Sequence, residues 1–374
     1  MFRLFEETEI NGMTLANRLV RSATWEGMCE PDGRPTKRLV ECYSDLAKGG
    51  VGLIISSYTF VRPDGKQFPG QMGLYSASFS AEMRDITSAV HSRGGKICMQ
   101  LVHAGGQTST KAIGARPLAP SAIEAQQFSE LPLELSAGDI EDIIAMFGSS
   151  AALAREYGFD AVQLHAAHGY LINQFLSPLT NRRSDTFGGS PENRRRFLME
   201  VLRSARRSAG ADFPILAKLN LSDNMEGGLE PEEALDAAVA LDREGIDAIE
   251  VSAGTPASGD RAPIRIGIAD REQEAYNLPL ALRVKKSVDC PVMVVGGIRS
   301  IETAEGILQR GDSDYISMAR PFIREPDLAR RWREGNREKA ACISCNGCFK
   351  PGLKEGGIYC VIDRIERENK EYSA

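Results

Sequence analysis

His165, His168 and Tyr170 form a His-x-x-His-x-Tyr run whose members could act together. Two imidazoles can donate to a carbonyl oxygen and so polarise the double bond beside it. A phenol two residues on can hand a proton to the α-carbon, because a weak acid of pKa about 10 suits a developing enolate. Two plainer readings stand beside this one. The histidines could bind a metal, although no carboxylate or cysteine is evidently placed with them, or they could be a packed structural pair. A second constellation is Gly296-Gly297, where backbone can approach a bound group, followed by Arg320, a bidentate cation for phosphate. A Gly turn plus a surface arginine would explain the same residues. The third is Cys342, Cys345, Cys348 and Cys360, crowded into the tail while Cys29, Cys42, Cys98 and Cys290 are scattered. Thiolates so spaced can turn toward one iron–sulfur cluster, hold a tetrahedral zinc, or stand as an unoccupied remnant.

Short Val-, Ile- and Leu-rich runs alternate with amphipathic stretches and position these groups. Strands are expected at Arg18–Thr24, Val51–Ser57, Lys96–Val102, Ala161–His165, Ile215–Leu219, Ala248–Ser252, Val292–Val295 and Tyr315–Met318. Helices are expected at Ala81–Arg93, Asp139–Tyr157, Glu192–Ser208, Glu232–Glu244 and Thr303–Gln309. Gly158–Leu164 and Gly245–Val251 repeat one pattern, a glycine closing a helix before a strand begins. The alternation predicts an α/β fold, a single closed (β/α)₈ barrel of the TIM type. An open doubly wound sheet is the runner-up, but it should carry a Gly-x-Gly-x-x-Gly turn that this sequence lacks. In such a barrel chemistry gathers at the C-terminal strand ends, where Gln100, His103, His165, Lys218 and Ser252 fall. Three of the four histidines sit at or just past such ends. The loop from Gly105 to Leu135 is long enough to act as a lid.

At 374 residues with 42% hydrophobic content the chain can build a full core as one unit. A net charge of −6 argues against a nucleic-acid partner and against an anionic-membrane patch. The acidic start, Phe5-Glu6-Glu7, is unlike a signal peptide, and no apolar run approaches a membrane span. A soluble, cytoplasmic protein is expected.

Leu164-His-Ala-Ala-His-Gly-Tyr-Leu171, continuing through Gln174–Arg183 to Phe187–Arg194, resembles the Old Yellow Enzyme family of NADH:flavin oxidoreductases, also called ene-reductases. Asn17-Arg18, Gln100–Gly105 and Val295–Ile298 extend the likeness across the barrel. The resemblance implies FMN, with NADH or NADPH as electron donor and a small-molecule substrate carrying an activated double bond. It implies that Ala23 and Thr24 lie under the flavin, that Gln100 bonds its pyrimidine edge, and that Lys218 stands by its N1/O2 end. Gly296, Gly297, Ala319 and Arg320 would hold the phosphate, His165 and His168 the substrate oxygen, and Tyr170 the proton. Hydride would reach flavin N5 from the nicotinamide and leave to the substrate β-carbon. Two positions depart from the family. Trp25 stands where some members carry Cys or Thr, and His103 is followed by Ala-Gly-Gly-Gln where Ala-Gly-Arg-Gln is common.

The cysteine run resembles the 4Fe-4S motif that follows the barrel in trimethylamine dehydrogenases, 2-enoate reductases and dienoyl-CoA reductases. Those relatives go on into a further flavin- and nicotinamide-binding region, and often carry Asn-Pro after the last cysteine. This sequence has Val361-Ile362 there and ends at Ala374. The expected organisation is an FMN-binding barrel over residues 1–335 and a short Cys-rich extension over 336–374. Reduction of an α,β-unsaturated carbonyl is the leading expectation. An amine dehydrogenase, or an enoate or enoyl reductase exchanging electrons through the tail, is the alternative. A homo-oligomer and an external electron-transfer partner stay open.

Overall fold

The structure, a computed structural model, describes residues 3–125 and 127–372. Eight apolar runs become the parallel strands of a closed barrel. They are β1 (Leu19–Arg21), β2 (Leu53–Phe60), β3 (Ile97–Val102), β4 (Ala161–Ala166), β5 (Ile215–Asn220), β6 (Ala248–Ser252), β7 (Val292–Val295) and β8 (Tyr315–Met318). Neighbours follow chain order around the ring, and β8 pairs with β1 to close it. The fold is a (β/α)₈ barrel, which excludes the open sheet. Around it lie α1 (Lys37–Lys48), α2 (Ser80–His91), α3 (Ala137–Glu156), α4 (Pro191–Ala209), α5 (Pro231–Arg243), α6 (Leu278–Lys285), α7 (Ile301–Arg310) and α8 (Leu328–Arg333). Their starts have local causes. Ser136 and Asp139 form a reciprocal capping box on α3, and Ser190 caps α4 just before a proline.

Strand side chains alternate, and the alternation divides the molecule. Met99, Val162, Leu164, Ala217, Leu219, Ile249 and Val251 face outward into the main core beneath the helices. Their neighbours face inward, in layers. Cys98, Ala161, Leu216 and Ala248 form an apolar lower layer. One step up lie Gln100, Gln163, Lys218 and Glu250, all buried and all polar. Above them are His165, Asn220 and Ser252.

The lower layer is sealed by a hairpin that the pattern of strands did not anticipate. Thr8–Ile10 and Met13–Leu15 pair antiparallel across Asn11-Gly12, whose φ values of 43° and 78° suit an Asn-Gly turn. Ile10, Met13 and Leu15 pack with Val20, Leu53 and Met293 under the barrel. The loop expected as a lid carries structure of its own. Leu118–Ala119 pairs with Leu133–Glu134, and Arg183 donates to the carbonyls of Pro120 at 2.9 Å and Leu135 at 2.7 Å. The tail folds back over the barrel. Ala340 N–H bonds the Arg299 carbonyl at 2.9 Å and Ile358 N–H bonds that of Glu26 at 2.8 Å. Among the described residues no helix is long and apolar enough to cross a membrane.

Gly49 ends α1 where a Cβ would lie 1.9 Å from the Pro326 carbonyl oxygen, just before α8. Gly49→Ala must push backbone from backbone, at a cost of about 1–3 kcal/mol. Urea unfolding of the two proteins checks this, and equal midpoints would show that the contact yields freely.

Candidate active site

The C-terminal strand ends surround a cavity of about 480 Å³. Ala23, Thr24, Gln100, His165, His168, Tyr170, Lys218, Gly297, Ala319 and Arg320 all line it. Gly296 stands just behind this wall, its carbonyl accepting from Tyr276 N–H at 3.1 Å.

The cavity floor is the polar layer of the barrel. Lys218 Nζ donates to Ser22 Oγ at 2.8 Å and pairs with Glu250 Oε2 at 3.2 Å. Glu250 also accepts from Ser22 Oγ at 2.6 Å and Gln163 Nε2 at 3.0 Å, while Gln100 Nε2 donates to Gln163 Oε1 at 2.7 Å. Several of these bonds join strands that are not neighbours, so they cross the barrel interior. Burial pushes the Glu250 carboxyl up, but the Lys218 cation and the donors from Ser22 and Gln163 outweigh it and hold it below its ordinary value. The floor is therefore charged and fixed. Gln100 lines the chamber, and its Oε1 remains buried without a partner.

One wall comes from β4 and the turn after it. His168 and Gly169 adopt φ of 61° and 77°, and side chains hold that strained turn. Gln107 Nε2 donates to the His168 carbonyl at 2.8 Å, and Gly169 N–H donates to Asn173 Oδ1 at 2.5 Å. His165 Nδ1 accepts from Ala167 N–H at 3.3 Å, which leaves the ring hydrogen on Nε2. His168 Nε2 shares a hydrogen bond with Ser252 Oγ at 2.8 Å. The rings are 5.1 Å apart and nearly perpendicular. Burial lowers both imidazoles well below their ordinary pKa, helped at His165 by His168 and then Lys218, and at His168 by Lys218. They stand as neutral hydrogen-bonding groups. Tyr170 packs 4.7 Å from His165, and burial raises its phenol, so it keeps its proton.

The far end offers backbone and cations. Gly297, at φ 73°, passes under the Tyr276 ring, where a Cβ would come within 3.1 Å. Arg320 donates to the carbonyls of Arg265 at 2.8 Å and Ser344 at 3.3 Å, which fixes its guanidinium at the cavity edge. Arg299 serves another purpose, binding the Ile268 and Ala340 carbonyls and so clamping the tail.

His103 does not share the site. It turns from the strand end toward Asp64 at 3.3 Å and accepts from Gly105 N–H at 3.1 Å, so it braces the loop after β2. Five contributors escaped sequence reasoning: Ser22, Tyr58, Gln67, Gln163 and Glu250. Gln163 and Glu250 hold the same place in the Gly158 and Gly245 repeats, each a polar residue in an apolar strand, and that was the available signal.

All four tail cysteines line one small pocket. Arg320, Ile323, Asn346 and Cys348 border both this pocket and the large cavity. Among the described residues no three His, Cys, Asp or Glu side chains are arranged to hold a single metal ion.

A closed barrel with polar groups, paired imidazoles and an arginine–glycine end at one mouth defines a cofactor-dependent barrel enzyme. The chain belongs to the NADH:flavin oxidoreductase / NADH oxidase family, whose model matches residues 3–339. It is 38% identical over 375 residues to an NADH oxidase of Thermoanaerobacter brockii, covering 99% of this chain and 57% of that protein. It is 35% identical over 333 residues to an NADPH dehydrogenase of Bacillus subtilis, covering 88% and 93%. The Old Yellow Enzyme homologue of Zymomonas mobilis superposes with a TM-score of 0.77 at 28% identity, covering 94% of this chain and 98% of its own. The chain thus spans little more than half of the first relative and nearly all of the other two. Its family implies FMN and a nicotinamide. The residues fit that cofactor: Gln100 Oε1 is unpartnered at the floor, and the glycine–arginine end suits a phosphate.

Burial of the two imidazoles has a consequence for stability. In the unfolded chain each takes up a proton near pH 6.5, whereas in the fold each stays neutral to lower pH. Below about pH 6.5 the unfolded state therefore binds more protons, so this contribution is complete above that pH and lost as pH falls. The slope is at most about 1.4 kcal/mol per pH unit for each histidine. Urea unfolding from about pH 7.5 down to about pH 5.5 should show wild type losing more stability than a His165→Gln/His168→Gln variant. Parallel losses would mean that the rings are not neutral in the fold.

Proposed function

We propose that this chain carries the FMN site of an NAD(P)H-dependent reductase acting on a carbon–carbon double bond conjugated to a carbonyl. The observation that carries this reading is the single wall holding two neutral imidazoles and a protonated phenol above a charged floor. When bound, FMN supplies hydride transfer between nicotinamide and substrate. The protein residues supply the rest. His165 Nε2–H and the His168 ring would hold the carbonyl oxygen and stabilise the negative charge that gathers there. Tyr170 would place its proton on the α-carbon. Gln100 and Lys218 would bond the polar edge of the ring system, and Ala23, Thr24, Gly296, Gly297, Ala319 and Arg320 would seat its underside and phosphate. The names of the relatives, an NADH oxidase and an NADPH dehydrogenase, support a nicotinamide donor.

A second reading concerns the route of electrons. Cys342, Cys345, Cys348 and Cys360 converge on one pocket without forming a single-ion site. A zinc bonded to four sulfurs at about 2.3 Å would draw them close together, whereas a cluster interposes iron and sulfide between its thiolates. We infer that these four cysteines would hold a 4Fe-4S cluster, which would supply single-electron exchange with an external partner, and that Arg320 and Cys348 form the wall between it and the large cavity.

Purified protein should be yellow, bleach with NADH or NADPH under anaerobic conditions, and regain its colour with cyclohexenone. Tyr170→Phe should slow that recovery by about 10²–10⁴-fold, the usual worth of a positioned acid. Recovery at the wild-type rate would remove Tyr170 from the reaction. Anaerobically purified protein should also contain iron and acid-labile sulfide in equal amounts, and zinc in their place would remove the electron route.

A further inference from the structure

Two phenols in the cavity wall converge on one amide. Tyr170 Oη donates to Gln67 Oε1 at 2.8 Å, and Tyr58 Oη donates to the same oxygen at 3.0 Å. The two rings stack 5.5 Å apart at 30°. Tyr58 ends the stretch of β2 that shifts register against β3, and Gln67 lies in the loop that follows. That loop is held rigidly. Gln71 Oε1 accepts from Gln67 N–H at 2.7 Å, and Gln71 Nε2 donates to the Tyr58 carbonyl at 3.1 Å. Tyr58, Gln67 and Gln71 are all buried. So much fixed polar structure around one hydroxyl exceeds what packing an aromatic ring requires.

The requirement comes from the proton that Tyr170 would release. Once the substrate β-carbon has gained a hydride, the α-carbon takes the Tyr170 proton: an O–H bond breaks, a C–H bond forms, and the electron pair stays on the phenol oxygen. That oxygen then faces Gln67 Oε1, an acceptor with nothing to give. We propose that Tyr58 is a positioning residue which turns its hydroxyl from Gln67 to the Tyr170 oxygen, stabilising the phenolate until a proton from water restores it. The proposal deepens, and rests on, the ene-reductase reading. Both hydroxyls already reach one acceptor and their rings stack, which places the Tyr58 hydroxyl beside the Tyr170 oxygen. A hydroxyl donor at Tyr58 favours the ionised form of Tyr170, opposing the effect of burial. The other titratable group packed against Tyr170 is His165, held neutral and so unable to supply the missing charge compensation.

Two measurements on the holoenzyme test this. The first places a fluorinated tyrosine of lowered pKa at position 170 and follows its ionisation by fluorine NMR. Tyr58→Phe should raise that pKa by about one unit, the loss of one hydrogen bond to a charged oxygen. The second is a double-mutant cycle on re-oxidation of the reduced enzyme by cyclohexenone, with Tyr58→Phe, Tyr170→Phe and the pair. Tyr58→Phe should slow the reaction about tenfold and raise its solvent deuterium isotope effect, yet add nothing in the Tyr170→Phe background. Gln67→Leu, which removes the shared acceptor, gives a second variant should Tyr58→Phe fold poorly; it should lower the coupling between the two phenols. An unmoved ionisation, or additive rate losses, overturns the relay whatever the enzyme reduces. A wild-type enzyme that no enone re-oxidises overturns the ene-reductase reading instead, and the relay with it.

Discussion

A layer of polar side chains crosses the inside of a barrel, directly above an apolar layer of Cys98, Ala161, Leu216 and Ala248. Gln100, Gln163, Lys218 and Glu250 could not be buried singly, because each unpaired group would cost several kcal/mol in that environment. They are tolerated because they satisfy one another across the cylinder, with Ser22 joining them at the mouth. This mutual dependence constrains the rest. Strand register must bring Gln100 opposite Gln163 and Lys218 opposite Glu250, and it does. Among these groups Gln100 Oε1 is left without a partner, in a side chain that lines the cavity.

The fold was largely legible because parallel strands buried on both faces advertise themselves as short apolar runs. All eight expected strands are present, and the five expected helices end within two residues of their expected limits. The misses have physical causes. The first strand is shorter than Arg18–Thr24 because Ser22–Thr24 leave the ladder to line the cavity. The second runs on to Phe60 because its register shifts past Ile55. The N-terminal hairpin carried a turn signal at Asn11-Gly12, but its strands of three residues are too short to show a period.

The site was legible only where chemistry follows from position along a strand. His165, His168, Tyr170, Gln100 and Lys218 stand at strand ends and meet at one mouth. His103 stands at a strand end too, yet nothing local reveals that it turns to Asp64, on a loop far from it in sequence. Gln67 and Tyr58 were hidden for the same reason, since what matters about them is a partner reached only through the tertiary fold. The tail cysteines could be grouped by spacing, but not their place. That Cys348 and Arg320 form a partition shared with the large cavity depends on how residues after α8 fold back.

The N-terminal segment and its hairpin, beneath the barrel, tie the start of the chain to its last strand and helices. Thr8 Oγ1 bonds Tyr315 Oη at 3.1 Å, and the backbone N–H groups of Arg3 and Leu4 donate to Glu305 at 2.7 and 3.1 Å. Its plug residues are therefore made first by the ribosome and matched last. During synthesis Ile10, Met13 and Leu15 lack the last of their partners, Met293 and Tyr315, until β7 and β8 have emerged, so the stopper of this vessel can seat fully only when the vessel is nearly finished.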